Sequence, residues 1–452
     1  MNKSYKINKV LAWILFFGGT AWANASDETL SFEIPQGNLS IERAFQVALE
    51  NNPSINEVEE RVAGAEATIK RAKSYLFPVI DVSAGYNHRH ATAHPDWATE
   101  MRGSADFNDI AAELNMRWRL FDGLQDIHYI RAARKSLESA RYIHQDAQRI
   151  LLEQVSAAFI QSEMAKEQMR IAKSDYEFNR KLESDAKVRF EVGELPEADV
   201  LNFSLALVVA ESNFLNAKRD FDSACSIIAL LLGLESAELP VNDYPLIKTD
   251  DYSKEIGKYG GLFALAMANR PDVQASLAAI AVYEHQVDAI KGSFLPKVEL
   301  VSGINYTKTN DMGTTNQDEN SSYAGLQANW NVFSGGRRKA QVAEMMTEKN
   351  VQLHRYHQLT DAVASEIRQD LVNLRTSDEI MRRQIKAEEY SRKIRDFVEQ
   401  AYQGGEVSVT RLNEAQTNWN RAASSLAVSK LQVLLNQFAL ESTTGEILSR
   451  VN

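Results

Sequence analysis

The chain has 452 residues, 44% of them hydrophobic, which is ample for a large ordered structure. Its formal net charge of −11 argues against a nucleic-acid binder, whose phosphate-facing surface would be basic. The single cysteine, Cys225, excludes an intrachain disulfide framework and reads as a small packing residue in an apolar helical stretch.

Residues 1–25 have the pattern of a cleavable secretory signal. Lys3, Lys6 and Lys9 form a basic start and Val10 to Gly19 an apolar centre. Ala21-Trp22-Ala23 and Ala23-Asn24-Ala25 are small-x-small cleavage sites. The apolar run is too short to span a bilayer comfortably. Its removal takes away three lysines and no acid, so the mature chain carries −14. No cysteine follows the cleavage region, so no lipid anchor is expected there. Beyond the signal no long uninterrupted apolar run is found, and a membrane crossing, if there is one, is not expected to use helices.

The rest of the chain is written twice. AFQVALENNP (Ala44 to Pro53) returns as LFALAMANRP (Leu262 to Pro271), and Phe77-Pro78 as Leu295-Pro296, each 218 positions on. Leu120-Phe121-Asp122-Gly123 returns as Val332-Phe333-Ser334-Gly335, 212 positions on, as does Gly233 at Gly445. A unit this long is not a short solenoid repeat but an architectural half used twice. The repeats are expected at 26–233 and 262–445, joined by a Pro- and Gly-rich linker at 234–261 and followed by a short tail at 446–452.

In the first half Ser40 is positioned to cap a helix running to Asn51, and Pro53 restarts it. A second helix runs from Asn56 to Tyr75 and stops before Pro78. The period then changes to two. Ile80, Val82, Ala84 and Tyr86 share one face of a strand over about 79–90, opposite Asp81, Ser83, Gly85 and Asn87. A second strand, about 109–121, sets Ile110, Leu114, Met116, Trp118 and Leu120 against Glu113, Asn115, Arg117 and Arg119. The second half repeats the pair at about 297–308 and 322–333, with Leu300, Ile304, Leu326 and Trp330 on the apolar side. Each segment is long enough to cross a bilayer as a tilted strand, with aromatics at its ends, where interfacial girdles sit.

Very long helices follow, at about 124–190 and 339–402. Leu124 to Arg189 lacks both proline and glycine and would reach on the order of 100 Å. Leu151, Val155, Ala158, Ser162, Ala165, Met169, Ala172 and Tyr176 recur at spacings of four and three, a coiled-coil seam with small residues. Return helices are expected at about 197–232 (seam Leu201, Leu205, Val208, Phe214) and 410–442 (Leu412, Trp419, Leu426, Leu431).

Four membrane strands cannot close a barrel, and an open edge in lipid leaves backbone groups unpaired. Strands from two, three or four copies must therefore complete one barrel, whose polar faces line a water-filled passage.

The duplicated half, the Leu120–Gly123 and Val332–Gly335 strand ends, and the turns at Gly193 and Gly405 resemble the TolC family of outer-membrane factors, over Leu39 to Gly445. The resemblance implies a mainly α fold with a transmembrane β-barrel part: a homotrimer with four strands per protomer in a shared twelve-stranded barrel, and a periplasmic α-barrel of coiled-coil helices. It implies a passive duct, not an enzyme, for small-molecule efflux or type I secretion, without cofactor. Its partners would be a periplasmic adaptor, an inner-membrane ABC or proton-driven pump, and outer-membrane lipid. It assigns adaptor contact to the turns Val192, Gly193, Glu194, Leu195 and Gly404, Gly405, Glu406, Val407, whose glycines suit positive φ. It places a periplasmic gate at Asp199 and Tyr402, and the family's ring of paired aspartates falls on Arg411 and Glu414. That is a departure, because Arg411 is positioned to pair with Glu414 along the helix and weaken an acidic ring.

His88, His90 and His94 read as a solvated loop rather than a metal site, and His354 and His357 as surface residues. Gly335-Gly336-Arg337-Arg338 lacks the spacing of a phosphate loop. No nucleophile with a believable base is found. A non-channel coiled-coil structural or adaptor protein of the envelope is the rival reading.

Overall fold

The computed structural model describes residues 39–93, 103–234, 239, 259–311 and 316–451. The signal, His94 and nearly all of the linker lie outside them. Each half runs helix, helix, strand, strand, long helix, return helix. The first comprises α1 (Ile41–Asn51), α2 (Pro53–Ser74), β1 (Val79–Ala93), β2 (Gly103–Phe121), α3 (Gln125–Glu191) and α4 (Glu197–Leu231). The second comprises α5 (Tyr259–Asn269), α6 (Pro271–Gly292), β3 (Lys297–Asp311), β4 (Asn316–Asn329), α7 (Arg337–Gln403) and α8 (Val409–Thr444).

Local chemistry sets the helix boundaries. The Arg43 amide donates to Ser40 Oγ at 3.2 Å, capping α1, and Asn52 Oδ1 accepts from the Ser54 amide at 2.9 Å, capping α2 ahead of Pro53. The Asn52 side chain also donates to the Leu231 carbonyl at 2.9 Å, closing the end of α4 onto the α1–α2 corner. The second half uses Arg270 at the same corner, donating to the Thr443 carbonyl at 3.3 Å. That guanidinium is buried and held by Asp272 and by Glu366, each at 2.7 Å. Burial alone would weaken its charge, but the Asp272 and Glu366 carboxylates overturn this and hold it above its ordinary value, while Arg270 in turn holds the half-buried Asp272 below the usual carboxylate range.

The four strands form one antiparallel meander in the order β1-β2-β3-β4. Register places Val82, Leu114 and Ile304 in one apolar row, and Ser83, Glu113, Asn305 and Ser321 in the polar row beside it. Among the described residues the apolar row has no protein cover; Val82, Leu114 and Ile304 are all exposed. At the helical end, Trp118 Nε1 donates to the Leu76 carbonyl at 2.9 Å and Trp330 Nε1 to the Phe294 carbonyl at 3.0 Å, the same bond in both halves. β4 stops at Asn329, short of the expected 333. Asn329 pairs with Lys297, the first residue of β3, and Pro296 before it has no N–H to extend the ladder; beyond that point Arg338 donates to the Asn331 and Ser293 carbonyls. The Gly335-Gly336-Arg337-Arg338 segment is thus a structural clasp, with Arg338 buried over the Phe294 ring.

α3 and α7 each have 67 residues, about 100 Å at 1.5 Å per residue. Their seams hold near the middle: Leu151, Val155, Ala158 and Ser162 are buried, as are Val363, Ile367, Leu371 and Leu374. Toward the tip Ala165, Met169 and Tyr176 are only half-buried. Phe45 of α1 meets Phe438 of α8 edge-on with ring centroids 6.4 Å apart, so the two halves share one core.

The α4 seam differs from expectation. Leu201, Leu205 and Val208 are exposed, whereas Phe203, Ala210, Ile228 and Ala229 are buried. α4 is also long and apolar enough, by composition, to cross a membrane, with 11% of its most apolar window buried. Its partner within the protomer is α3, which covers one side only and leaves the leucine face open. The tail is not inert either: Ile447 is fully buried, and Arg450 grips Glu441 at 2.6 Å above the Phe438 ring.

Candidate functional site

The helical ends opposite the sheet carry two matching turns. In the first, the Gly193 amide donates to Phe190 O at 2.9 Å and the Glu194 amide to Arg189 O at 2.8 Å. In the second, the Gly405 amide donates to Tyr402 O at 3.0 Å and the Glu406 amide to Ala401 O at 2.9 Å. Gly193 and Gly405 have φ of +81° and +75°, which side-chain-bearing residues rarely adopt. A Cβ at either would enter open space, so the backbone angle rather than crowding selects glycine. Gly404, expected to share that conformation, instead has φ −80° and completes the last turn of α7. Val192, Gly193, Glu194, Gly404, Gly405 and Glu406 are exposed, and Leu195 and Val407 half-buried.

Just inside these turns Ala186, Phe203 and Val409 form a buried cluster, with Leu182, Leu195, Val200 and Tyr402 packed around it. It ties the two hairpins together at their tips. Tyr402 therefore sits at the hairpin contact, with the Arg189 guanidinium 6.0 Å from its ring centre. Burial pushes the Tyr402 phenol above its ordinary value, Arg189 opposes this, and the Asp199 and Asp185 carboxylates add to it. Asp199 and Tyr402 thus share one electrostatic neighbourhood. Arg411 and Glu414 pair along α8 at 3.2 Å, both side chains more than half exposed. The cation at position 411 is neutralised by its own helix.

Further along the hairpins lies a polar crossing that the sequence reading missed. Asp175 of α3 accepts from Asn420 and Gln416 of α8 and from Asn179. Burial raises the Asp175 carboxyl above its usual range, against those hydrogen bonds. Nearby, Arg395 lies 4.7 Å from the centre of the Trp419 ring, whose Nε1 donates to Glu388 at 3.1 Å. Only the placement of Tyr176 and Trp419 on the helix seams hinted at these contacts; nothing local pairs positions some 240 residues apart.

At the other end the sheet's polar face is also built. Tyr323 donates to Asn115 Oδ1 at 3.1 Å across Gly303, where a Cβ would lie 2.6 Å from the Tyr323 ring. His88 Nδ1 lies 2.8 Å from Asn108 Oδ1, within the strand pair. His354 and His357 are exposed.

An amphipathic antiparallel sheet with open edges, carried on paired 100 Å-scale helices that share one core, defines a subunit of a β-barrel membrane channel with a helical extension. The model of the outer membrane efflux protein family matches residues 44–234 and 262–446, the two halves found in the sequence. Protein CyaE of Bordetella pertussis is 23% identical over 414 residues, 91% of this chain and 85% of that protein. The outer membrane efflux protein BepC of Brucella suis is 22% identical over 410 residues, 89% of this chain and 85% of its own length. Among solved structures, the Campylobacter jejuni CmeC outer membrane channel superposes with a TM-score of 0.76 at 18% identity, covering 92% of this chain and 90% of that one. The open state of the Neisseria gonorrhoeae MtrE outer membrane channel gives 0.71 at 14%, covering 90% and 88%. The chain belongs to the outer membrane efflux protein family. It is an outer-membrane exit duct of export systems, with its helical part in the periplasm.

Proposed function

We propose that three copies of this chain close a twelve-stranded barrel in the outer membrane over a twelve-helix periplasmic tunnel. The observation that carries this is the pair of edges, β1 and β4, left unpartnered among the described residues, on a sheet with an exposed apolar face. An unpaired backbone group in hydrocarbon costs several kcal/mol, and pairing β4 of one copy with β1 of the next removes both edges. The exposed leucine face of α4 supports the same closure, since neighbouring helices would cover it. Strand physics permits two to four copies, and the family resemblance selects three. Native mass spectrometry of the detergent-extracted protein tests the count: three chains are expected, and a monomer overturns the reading.

The duct is passive and its energy comes from an inner-membrane pump, reached through a periplasmic adaptor that docks on Val192–Leu195 and Gly404–Val407. Asp199, Tyr402, Arg411 and Glu414 form the gate behind that mouth. Reversing the charge of Asp199 while removing the Tyr402 ring is expected to raise single-channel conductance in a planar bilayer; unchanged conductance removes the gate assignment. Similarity to the Pseudomonas aeruginosa alkaline protease secretion protein AprF and the pyoverdine export protein OpmQ supports both type I secretion of polypeptides and small-molecule efflux as uses of such a duct. Comparing secreted proteins and toxin sensitivity in a deletion strain separates them.

A further inference from the structure

Where α3 begins and α6 ends, directly beneath the strands, the two repeats touch. His128 lies in the first turn of α3; His285 and Asp288 lie three residues apart on one face of α6. One nitrogen from each imidazole and one Asp288 oxygen all fall within 4.8 Å of one another. The two rings are 6.1 Å apart between centroids and tilted by 43°. The Nδ1 atoms of both His128 and His285 are buried without a hydrogen-bond partner. A buried imidazole nitrogen without a partner on each ring is costly as it stands, and a cation bound within this cluster would engage both rings.

We propose that His128, His285 and Asp288 bind a borderline divalent transition-metal ion, of which Zn²⁺ is the representative, clipping the first repeat to the second at the base of the barrel. Two imidazoles and one carboxylate are the ligand set that such ions prefer over Ca²⁺ or Mg²⁺, which take oxygen donors. Three protein ligands leave a fourth tetrahedral position for water. Asp288 accepts from Lys291 at 2.9 Å through one carboxylate oxygen and keeps a second oxygen for the ion. Glu284 is paired with Lys349 of α7 and is not needed as a ligand.

The test uses the full chain in detergent, stripped with a chelator and titrated with Zn²⁺ by calorimetry, with the melting temperature followed in parallel. One ion per protomer is expected, with a rise in melting temperature that Mg²⁺ does not reproduce. His128→Ala and the size-conserving His285→Gln should each weaken binding by at least about tenfold and abolish the thermal rise. A double variant at His88 and His90 should bind as the wild type does. Retention of full Zn²⁺ affinity in the His128→Ala/His285→Gln double variant overturns the site. So does loss of binding in the His88/His90 variant, or a wild type that binds no Zn²⁺. Circular dichroism that matches the wild type excludes simple unfolding of a variant.

Discussion

Ile304 is the middle residue of β3, seven residues from either end, and its register partner on β2 is Leu114, itself opposite Val82. More than half of the Ile304 side chain is exposed in the protomer. If that face meets hydrocarbon, a strand rising about 3.3 Å per residue and tilted about 45° puts Ile304 roughly 16 Å above the start of β3, near the bilayer midplane. An arginine at a midplane lipid-facing site costs about 2–4 kcal/mol per copy, a factor of roughly 30 to 1,000 in the insertion equilibrium, whereas near an interface the cost falls to about 0–1 kcal/mol. Asn305, the next residue, points to the opposite face beside Glu113 and Ser321. Ile304→Arg should therefore sharply reduce outer-membrane insertion and assembled oligomer, while Asn305→Arg leaves both near wild-type levels. Leu326, in register with Leu300 four residues nearer the helical end of β3, should show an intermediate loss. Membrane fractionation with semi-native electrophoresis reads all three. Equal behaviour of Ile304→Arg and Asn305→Arg would refute the assignment of faces, and the duct would lose its wall.

The Arg270→Met variant should cost about 3 kcal/mol in denaturant unfolding, because it leaves the half-buried Asp272 carboxylate without its paired guanidinium; an unchanged midpoint removes the Arg270–Asp272 pair as a stabilising contact. Gly303→Leu should break the Tyr323–Asn115 hydrogen bond and alter conductance through the sheet's polar side, since a Cβ there would meet both the Asn115 Oδ1 and the Tyr323 ring at 2.6 Å; unchanged single-channel conductance removes that contact from the polar lining. The Asp175 carboxyl is raised by burial, so the folded protein binds its proton more readily than the unfolded chain does. Stability of the α3–α8 crossing should fall as pH rises through the raised folded value, and be regained on acidification toward the ordinary carboxylate range. Hydrogen exchange around Asn420 should follow that trend in the wild type and lose it in Asp175→Asn; a variant with the same pH profile removes Asp175 as its source.

Much of the fold was legible in the sequence because its signals are local or periodic. Alternation in Ile80–Tyr86 and Ile110–Leu120 marks strands whatever they pair with. The absence of proline and glycine from Leu124 to Arg189 fixes a single long helix. Gly193 and Gly405 mark turns because positive φ is a property of one residue and its own backbone. The repeat could be read because both copies solve the same packing problem, down to Trp118 and Trp330 capping equivalent carbonyls.

The tertiary structure decided what depends on partners far along the chain. The leucines of α4 looked like an internal seam, yet α3 covers only Phe203, Ala210 and their neighbours, because periodicity names an apolar face without naming what covers it. The end of β4 at Asn329 followed from its register against Lys297, the first residue of β3, and the Asp175–Asn420 crossing and the His128–His285 pair followed from helix approach across repeats. By itself the sequence determined the elements and their amphipathic faces, since backbone sterics and side-chain period act over a few residues. Which polar groups meet across the repeats, and which apolar faces stay open for other copies, was decided only when helices far apart in sequence came within a side chain's reach.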